Sequence, residues 1–75
     1  MIIVVRLHTI LQRGGHNQLE LDLPVGSTIR ELINILDIAL SLEDIIIVVN
    51  NHSADIDQIL KEQDVVHLIP AISGG

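Results

Sequence analysis

Cysteine is absent from this sequence, and so are phenylalanine, tyrosine and tryptophan. Without cysteine there is no disulfide framework, no thiolate zinc site and no cysteine nucleophile, and a reducing, cytoplasmic compartment is expected. Without aromatic rings the chain offers no platform on which nucleic-acid bases can stack. Positive charge is scarce as well: four Lys and Arg stand against ten Asp and Glu, a formal net charge of −6. That balance repels a phosphate backbone instead of releasing its counterions, so no nucleic-acid partner is expected. Long apolar runs are missing too. The opening Met1-Ile2-Ile3-Val4-Val5 is broken by Arg6 and His8 before it reaches the length of a membrane span or a signal-peptide core. No membrane partner is expected.

What is present is a chain of 75 residues rich in Ile, Leu and Val, enough for one small domain whose core is packed from branched aliphatics. Residues 2–11 alternate loosely, with Ile3, Val5 and Leu7 on one face and Ile2, Val4, Arg6 and His8 on the other, as a strand does. Gly14 and Gly15 suit a hairpin turn, and a lone Gly-Gly is too short a motif for a phosphate loop. Residues 18–23 alternate strictly, Leu19, Leu21 and Leu23 against Gln18, Glu20 and Asp22, and Pro24 ends this second strand.

Thr28 followed three residues later by Glu31 matches a capping box. Behind it Ile29, Leu32, Ile33 and Leu36 form one apolar stripe, predicting a helix that extends toward Leu40. The β-branched run Ile45-Ile46-Ile47-Val48-Val49 predicts a strand, buried on both faces or offering one to a partner. A turn at residues 50–53 follows. Residues 55–63 are expected as a short strand or helical turn over the sheet edge, anchored by Ile56, Ile59 and Leu60. Residues 64–70 predict the last strand, with Val66 and Leu68 on one face and Val65, His67 and Ile69 on the other. Pro70 cannot donate to a ladder, so residues 71–75 are expected to leave a body of residues 1–70 as a flexible arm.

One helix with four or five strands suits an α+β layer pair, the sheet curling around the helix and the last strand free to lie parallel beside the first. The acids, Glu20, Asp22, Asp55, Asp57 and Glu62 among them, read as solvated charge with no enclosed pocket to make a general acid and base. His16 and His52 fall in predicted turns. His8 and His67, even if adjacent, lack a third ligand, so no metal site is expected.

The chain resembles the small ubiquitin-like sulfur carriers of the MoaD/ThiS family, most closely the small subunit of molybdopterin synthase. The likeness runs over nearly all of it: the opening strand, Leu19-Glu20-Leu21-Asp22-Leu23-Pro24, Gly26-Ser27-Thr28-Ile29, Val49-Asn50, Leu60-Lys61-Glu62-Gln63-Asp64-Val65-Val66, and Leu68-Ile69-Pro70-Ala71-Ile72-Ser73-Gly74-Gly75. Asn51 and Gln63 stand where the family usually has glycine, a matter of local strain. Ala71 replaces a common second proline, and Leu68 and Ile69 replace the usual aromatics.

The resemblance implies a ubiquitin-like β-grasp fold and a non-catalytic sulfur carrier. The Gly75 carboxylate would be adenylated by an E1-like enzyme of the MoeB/ThiF type, using ATP, and converted to a thiocarboxylate. A MoaE-type large subunit of molybdopterin synthase would then take the sulfur for a pterin precursor. Ile72, Ser73 and Gly74 would thread the tail into the partner, glycine leaving no Cβ to block a narrow channel. The protein itself would bind no cofactor tightly, with ATP and the sulfur donor handled by its partners, and it would be a monomer when free. Val4, Arg6, His8, Val65, His67 and Ile69 are the candidate docking surface, provided the first and last strands are neighbours. Two relatives in function compete: a carrier for thiamine thiazole synthesis, which usually lacks a proline such as Pro70, and a protein modifier joined to target lysines through Gly75. A plain interaction module of the same fold is the remaining reading.

Overall fold

In the computed structural model residues 1–8, 17–38 and 40–71 are described. Five strands form one mixed sheet: β1 (Ile2–Leu7), β2 (Gln18–Asp22), β3 (Ile45–Val49), β4 (His52–Ser53) and β5 (Val65–Pro70), in the spatial order β2-β1-β5-β3-β4. β1 pairs antiparallel with β2 and parallel with β5, so the condition on which the candidate docking surface rested, that first and last strands are neighbours, is met. β5 is flanked on its other side by β3, antiparallel, with Ile46 opposite Ile69 and Val48 opposite His67.

Strand alternation sorts the side chains. Ile3, Val5, Leu7, Ile45, Ile47, Val49, Val66 and Leu68 turn inward and join Ile29, Leu32, Ile33 and Leu36 of α1 (Ile29–Leu36) in one aliphatic core. The continuous apolar run of β3 therefore covers one buried and one outward face, with Ile46 46% exposed.

The helix starts as its sequence dictates. Thr28 Oγ1 accepts from Glu31 N at 3.3 Å, and Glu31 Oε1 accepts from Thr28 N at 3.4 Å. Two further first-turn N–H groups, those of Ile29 and Arg30, donate to the carbonyls of Gln58 and Ile56, so the neighbouring segment satisfies donors that an isolated helix leaves orphaned. Upstream, Gly26 takes φ +92, a backbone setting that L side chains rarely adopt.

Three expectations need correction. The helix ends at Leu36, short of Leu40, because Asp37 enters the left-handed region (φ 52) and its N–H caps on Asn34 O. Residues 55–63 contribute no strand or helix. They run along the helix entrance, held by Leu60 N to Ser27 O at 2.8 Å and an isolated bridge between Thr28 and Ile59. Ile59 is accordingly no anchor, being 59% exposed beside Val25 on an apolar groove, while Leu60 is buried and Ile56 half-buried. Lastly, His52 and Ser53 are not turn but a two-residue strand folding back on β3, the reversal falling on Asn50 and Asn51, both at positive φ. β1 stops at Leu7, and the remainder of the strand expected to Leu11, with the Gly14-Gly15 turn and His16, lies outside the described residues, as do Ile72, Ser73, Gly74 and Gly75. No helix among the described residues is long and apolar enough to cross a membrane.

Candidate functional site

The outward face of the two central strands brings the candidate docking residues together. In the parallel pairing of β1 and β5, Val4 lies opposite Val65 and Arg6 opposite His67. Val4, His8, Val65, His67 and Ile69 are half-buried and Arg6 is exposed. His8 follows directly on β1, its N–H donating to Leu68 O at 3.2 Å, which returns its ring to the same face as His67. The two imidazoles meet there: His8 Nε2 and His67 Nδ1 are 3.1 Å apart, with ring centroids at 5.3 Å and a 35° tilt.

This contact perturbs His67. Partial burial, then the neighbouring His8, then the Arg6 guanidinium, all disfavour its charged form and push it below the ordinary histidine value of 6.5. The neutral pair shares one N–H···N hydrogen bond and takes up one nitrogen of each ring. Among the described residues no group of three or more His, Asp or Glu is placed to hold a metal ion.

Two members of this face are not in the sequence-derived set. Ile46 and Val48 of β3 stand outward beside Ile69 and His67, extending the aliphatic surface by one strand. The signal was present in the unbroken apolar run of residues 45–49. The adjacency of β3 to β5 was the missing piece. His52 is exposed, and Glu20, Asp22, Asp55, Asp57 and Glu62 are all solvated, on turns, loops or the β2 edge. β5 ends at Pro70, and Ala71 N donates to Asp44 O at 2.7 Å, so the chain approaches its last residues from the same end of the sheet at which His8 lies.

Comparison with known proteins supplies the remaining constraint. The sequence model of the ThiS family matches residues 4–75. The chain belongs to the ThiS family. Its structure is similar to that of small archaeal modifier protein 1 (SAMP1) from Haloferax volcanii, with a TM-score of 0.81, 19% identity and full coverage of both chains. It is also similar to a candidate molybdopterin converting factor subunit 1 from Pyrococcus furiosus, with a TM-score of 0.77 and 25% identity over 95% of this chain and 98% of that one. A chain in the complex of subunits 1 and 2 of the molybdopterin-converting factor from Helicobacter pylori matches with a TM-score of 0.70 and 25% identity over the whole of both chains. No match appears among functionally curated proteins. The fold is thus the ubiquitin-like β-grasp, here an open five-stranded mixed sheet with one helix, and the chain is a small carrier or modifier of the MoaD/ThiS type.

Proposed function

We propose that this protein is a sulfur carrier of molybdopterin synthesis, the small non-catalytic subunit of a two-part sulfurtransferase. The observation that carries the reading is the family match, which runs through the sheet and continues over Pro70 to Gly74-Gly75. The 25% identity over full length to a chain of the Helicobacter pylori subunit 1–subunit 2 complex favours a large-subunit partner.

The chemistry asks little of the protein. An α-carboxylate, ionised at neutral pH, attacks the α-phosphate of ATP in the active site of an E1-like enzyme and releases pyrophosphate. A sulfur nucleophile from a donor then displaces AMP from the acyl adenylate and leaves a thiocarboxylate on Gly75. With no cysteine in the chain, persulfide carriage by this protein is closed, and the terminal glycine is the carrier. The outer face formed by β1, β5 and β3 docks the partners, and the catalytic groups, ATP and magnesium belong to them.

Mass spectrometry of the protein isolated from its own cells tests this directly. Sulfur in place of one oxygen at Gly75 is the expected result. Isopeptide adducts between Gly75 and target lysines, with no sulfur-bearing form, would establish the modifier instead. Extension by one alanine beyond Gly75 is expected to abolish cofactor synthesis while the fold persists, and an extended protein that still supports synthesis ends the carrier reading.

A further inference from the structure

The docking face carries a cation that the carrier chemistry does not use. Among the described residues the α-amino group of Met1 is met by Asp22 and Glu62, and Arg30 by Asp57, but no carboxylate reaches Arg6. In a chain with ten acids and four Lys and Arg, an arginine at the middle of the principal face without an internal acid is a position kept open. On β2 the residue opposite Arg6 is Gln18, with Glu20 one step along, opposite Val4. On β3 the outward residues are Ile46 and Val48, and on β4 Ser53 lies opposite Val48. His52, exposed, is in register with the inward Val49. The His8–His67 pair therefore has Arg6 as its close charged neighbour on the described part of the face.

The pair adds a second property. Its shared hydrogen bond occupies His8 Nε2 and His67 Nδ1, leaving His8 Nδ1 and His67 Nε2 without a partner among the described residues. In either tautomer the ring that donates has its outer nitrogen bare and can take one proton without breaking the contact, while the outer nitrogen of the accepting ring already carries its hydrogen. Resting on the docking reading above, we propose that the protein seated on this face presents a carboxylate to Arg6 and the His8–His67 pair, and that seating it draws one proton onto the pair. A guanidinium offers a planar fork matched to a carboxylate. The aliphatic ring of Val4, Val48, Val65 and Ile69 excludes water around it and strengthens the attraction.

The sign of the proton linkage separates this from purely apolar docking. Covering the pair with apolar surface alone disfavours imidazolium and expels a proton, so affinity falls on acidification. A carboxylate stabilises imidazolium, so affinity rises.

The test is the dissociation constant of the complex with the molybdopterin-converting large subunit of the same organism, measured between pH 8 and pH 6 at constant ionic strength. Kd is expected to fall with pH, the slope approaching about tenfold per pH unit for one proton taken up. His8→Gln and His67→Gln, each checked for retained structure by circular dichroism, should flatten that slope, and His52→Gln should leave it unchanged. Arg6→Gln should weaken binding about tenfold at every pH. A Kd that rises or stays level on acidification, a slope that survives in the double histidine variant, or wild-type affinity in Arg6→Gln overturns the proposal and leaves the large-subunit partnership standing. No complex at any pH overturns both.

Discussion

The side-chain amide of Asn50 donates to Asp64 Oδ1 at 2.8 Å, tying the turn after β3 to the entrance of β5. Asp64 is buried to 7% exposure, and its second oxygen accepts from Lys61 N at 2.8 Å. Asn50 Oδ1 in turn accepts from Val65 N at 3.0 Å. The charge of Asp64 is thus held by directed donors at the base of the strand that carries His67 toward the tail. Removing the carboxylate in Asp64→Ala strands those donors and should lower unfolding free energy by about 2–3 kcal/mol. Exposed Glu43→Ala should stay within about 0.5 kcal/mol of wild type. Urea titrations of the two variants check the contrast, and equal stabilities would remove this network from the account of the fold.

α1 is only eight residues long, too short to persist on propensity alone. Its capping box therefore carries disproportionate weight. Thr28→Ala should cost about 1 kcal/mol, seen as a shift in the denaturation midpoint without a change in slope. No shift would mean that the bonds from Ile29 and Arg30 to Gln58 and Ile56 suffice to hold the helix entrance.

The elements legible in the sequence are those whose signal is local. The capping box, the stripe from Ile29 to Leu36 and the period-two alternation of Gln18–Asp22 depend on neighbours within one or two turns, and each appears where the residues place it. The helix end was not legible because Leu40, four residues after Leu36, continues the apolar stripe past Asp37, and only an aspartate in the left-handed region stops it. Ile59 read as an anchor because apolar spacing says nothing of the hydrogen bonds from Leu60 and Ile29 that fix the orientation of its segment. The face itself was half legible: the sequence picked out the outward residues of β1 and β5 on the condition that the two strands are neighbours, a condition the parallel pairing meets, but Ile46 and Val48 join the face only through strand order, which no local pattern encodes.

His67 makes the fold sensitive to mild acid. Its folded value lies below 6.5, first through burial, then through His8 and Arg6. The unfolded chain consequently binds a proton more readily than the folded one, and stability is lost as pH falls. Stability contributed by the neutral ring is whole above 6.5 and erodes below it, toward the lowered folded value. The melting temperature of the wild type should drop between pH 7.5 and pH 5.5 by more than that of His67→Gln. Parallel profiles for the two proteins would show that the ring is not perturbed by its neighbours.

Ile46 and Ile47 are adjacent, and β alternation gives them opposite roles. Ile47 is 5% exposed and packs in the core, whereas Ile46 is 46% exposed beside Ile69. Ile47→Ala should destabilise the protein by about 2–4 kcal/mol. Ile46→Asp should leave the melting temperature within a few degrees of wild type, yet disrupt the large-subunit complex by placing an acid beside Ile69 on the outward aliphatic surface of β3 and β5. Paired melting curves and binding isotherms read both, and unimpaired binding by Ile46→Asp would move the docking surface off β3.

Asn51 and Gln63 both hold positive φ, 71 and 66, at the two positions where the resemblance to the sulfur carriers implies glycine. The left-handed setting costs an L residue about 1–2 kcal/mol, less for Asn, whose short polar side chain tolerates it. Glycine removes that cost and adds back a smaller one in unfolded-state entropy. Gln63 is exposed, and among the described residues its hydrogen bonding runs through the backbone, N–H to Ile2 O at 2.8 Å, so the substitution sacrifices no side-chain hydrogen bond there. Gln63→Gly should therefore stabilise the protein by about 0.5–1 kcal/mol, Asn51→Gly should be close to neutral, and Gln63→Ala should gain nothing because alanine keeps the Cβ. Chemical denaturation of the three variants gives the order Gln63→Gly above wild type, with Asn51→Gly beside it. A loss of stability in Gln63→Gly would show that the turn before β5 is not strained and that its glutamine is held by more than its backbone.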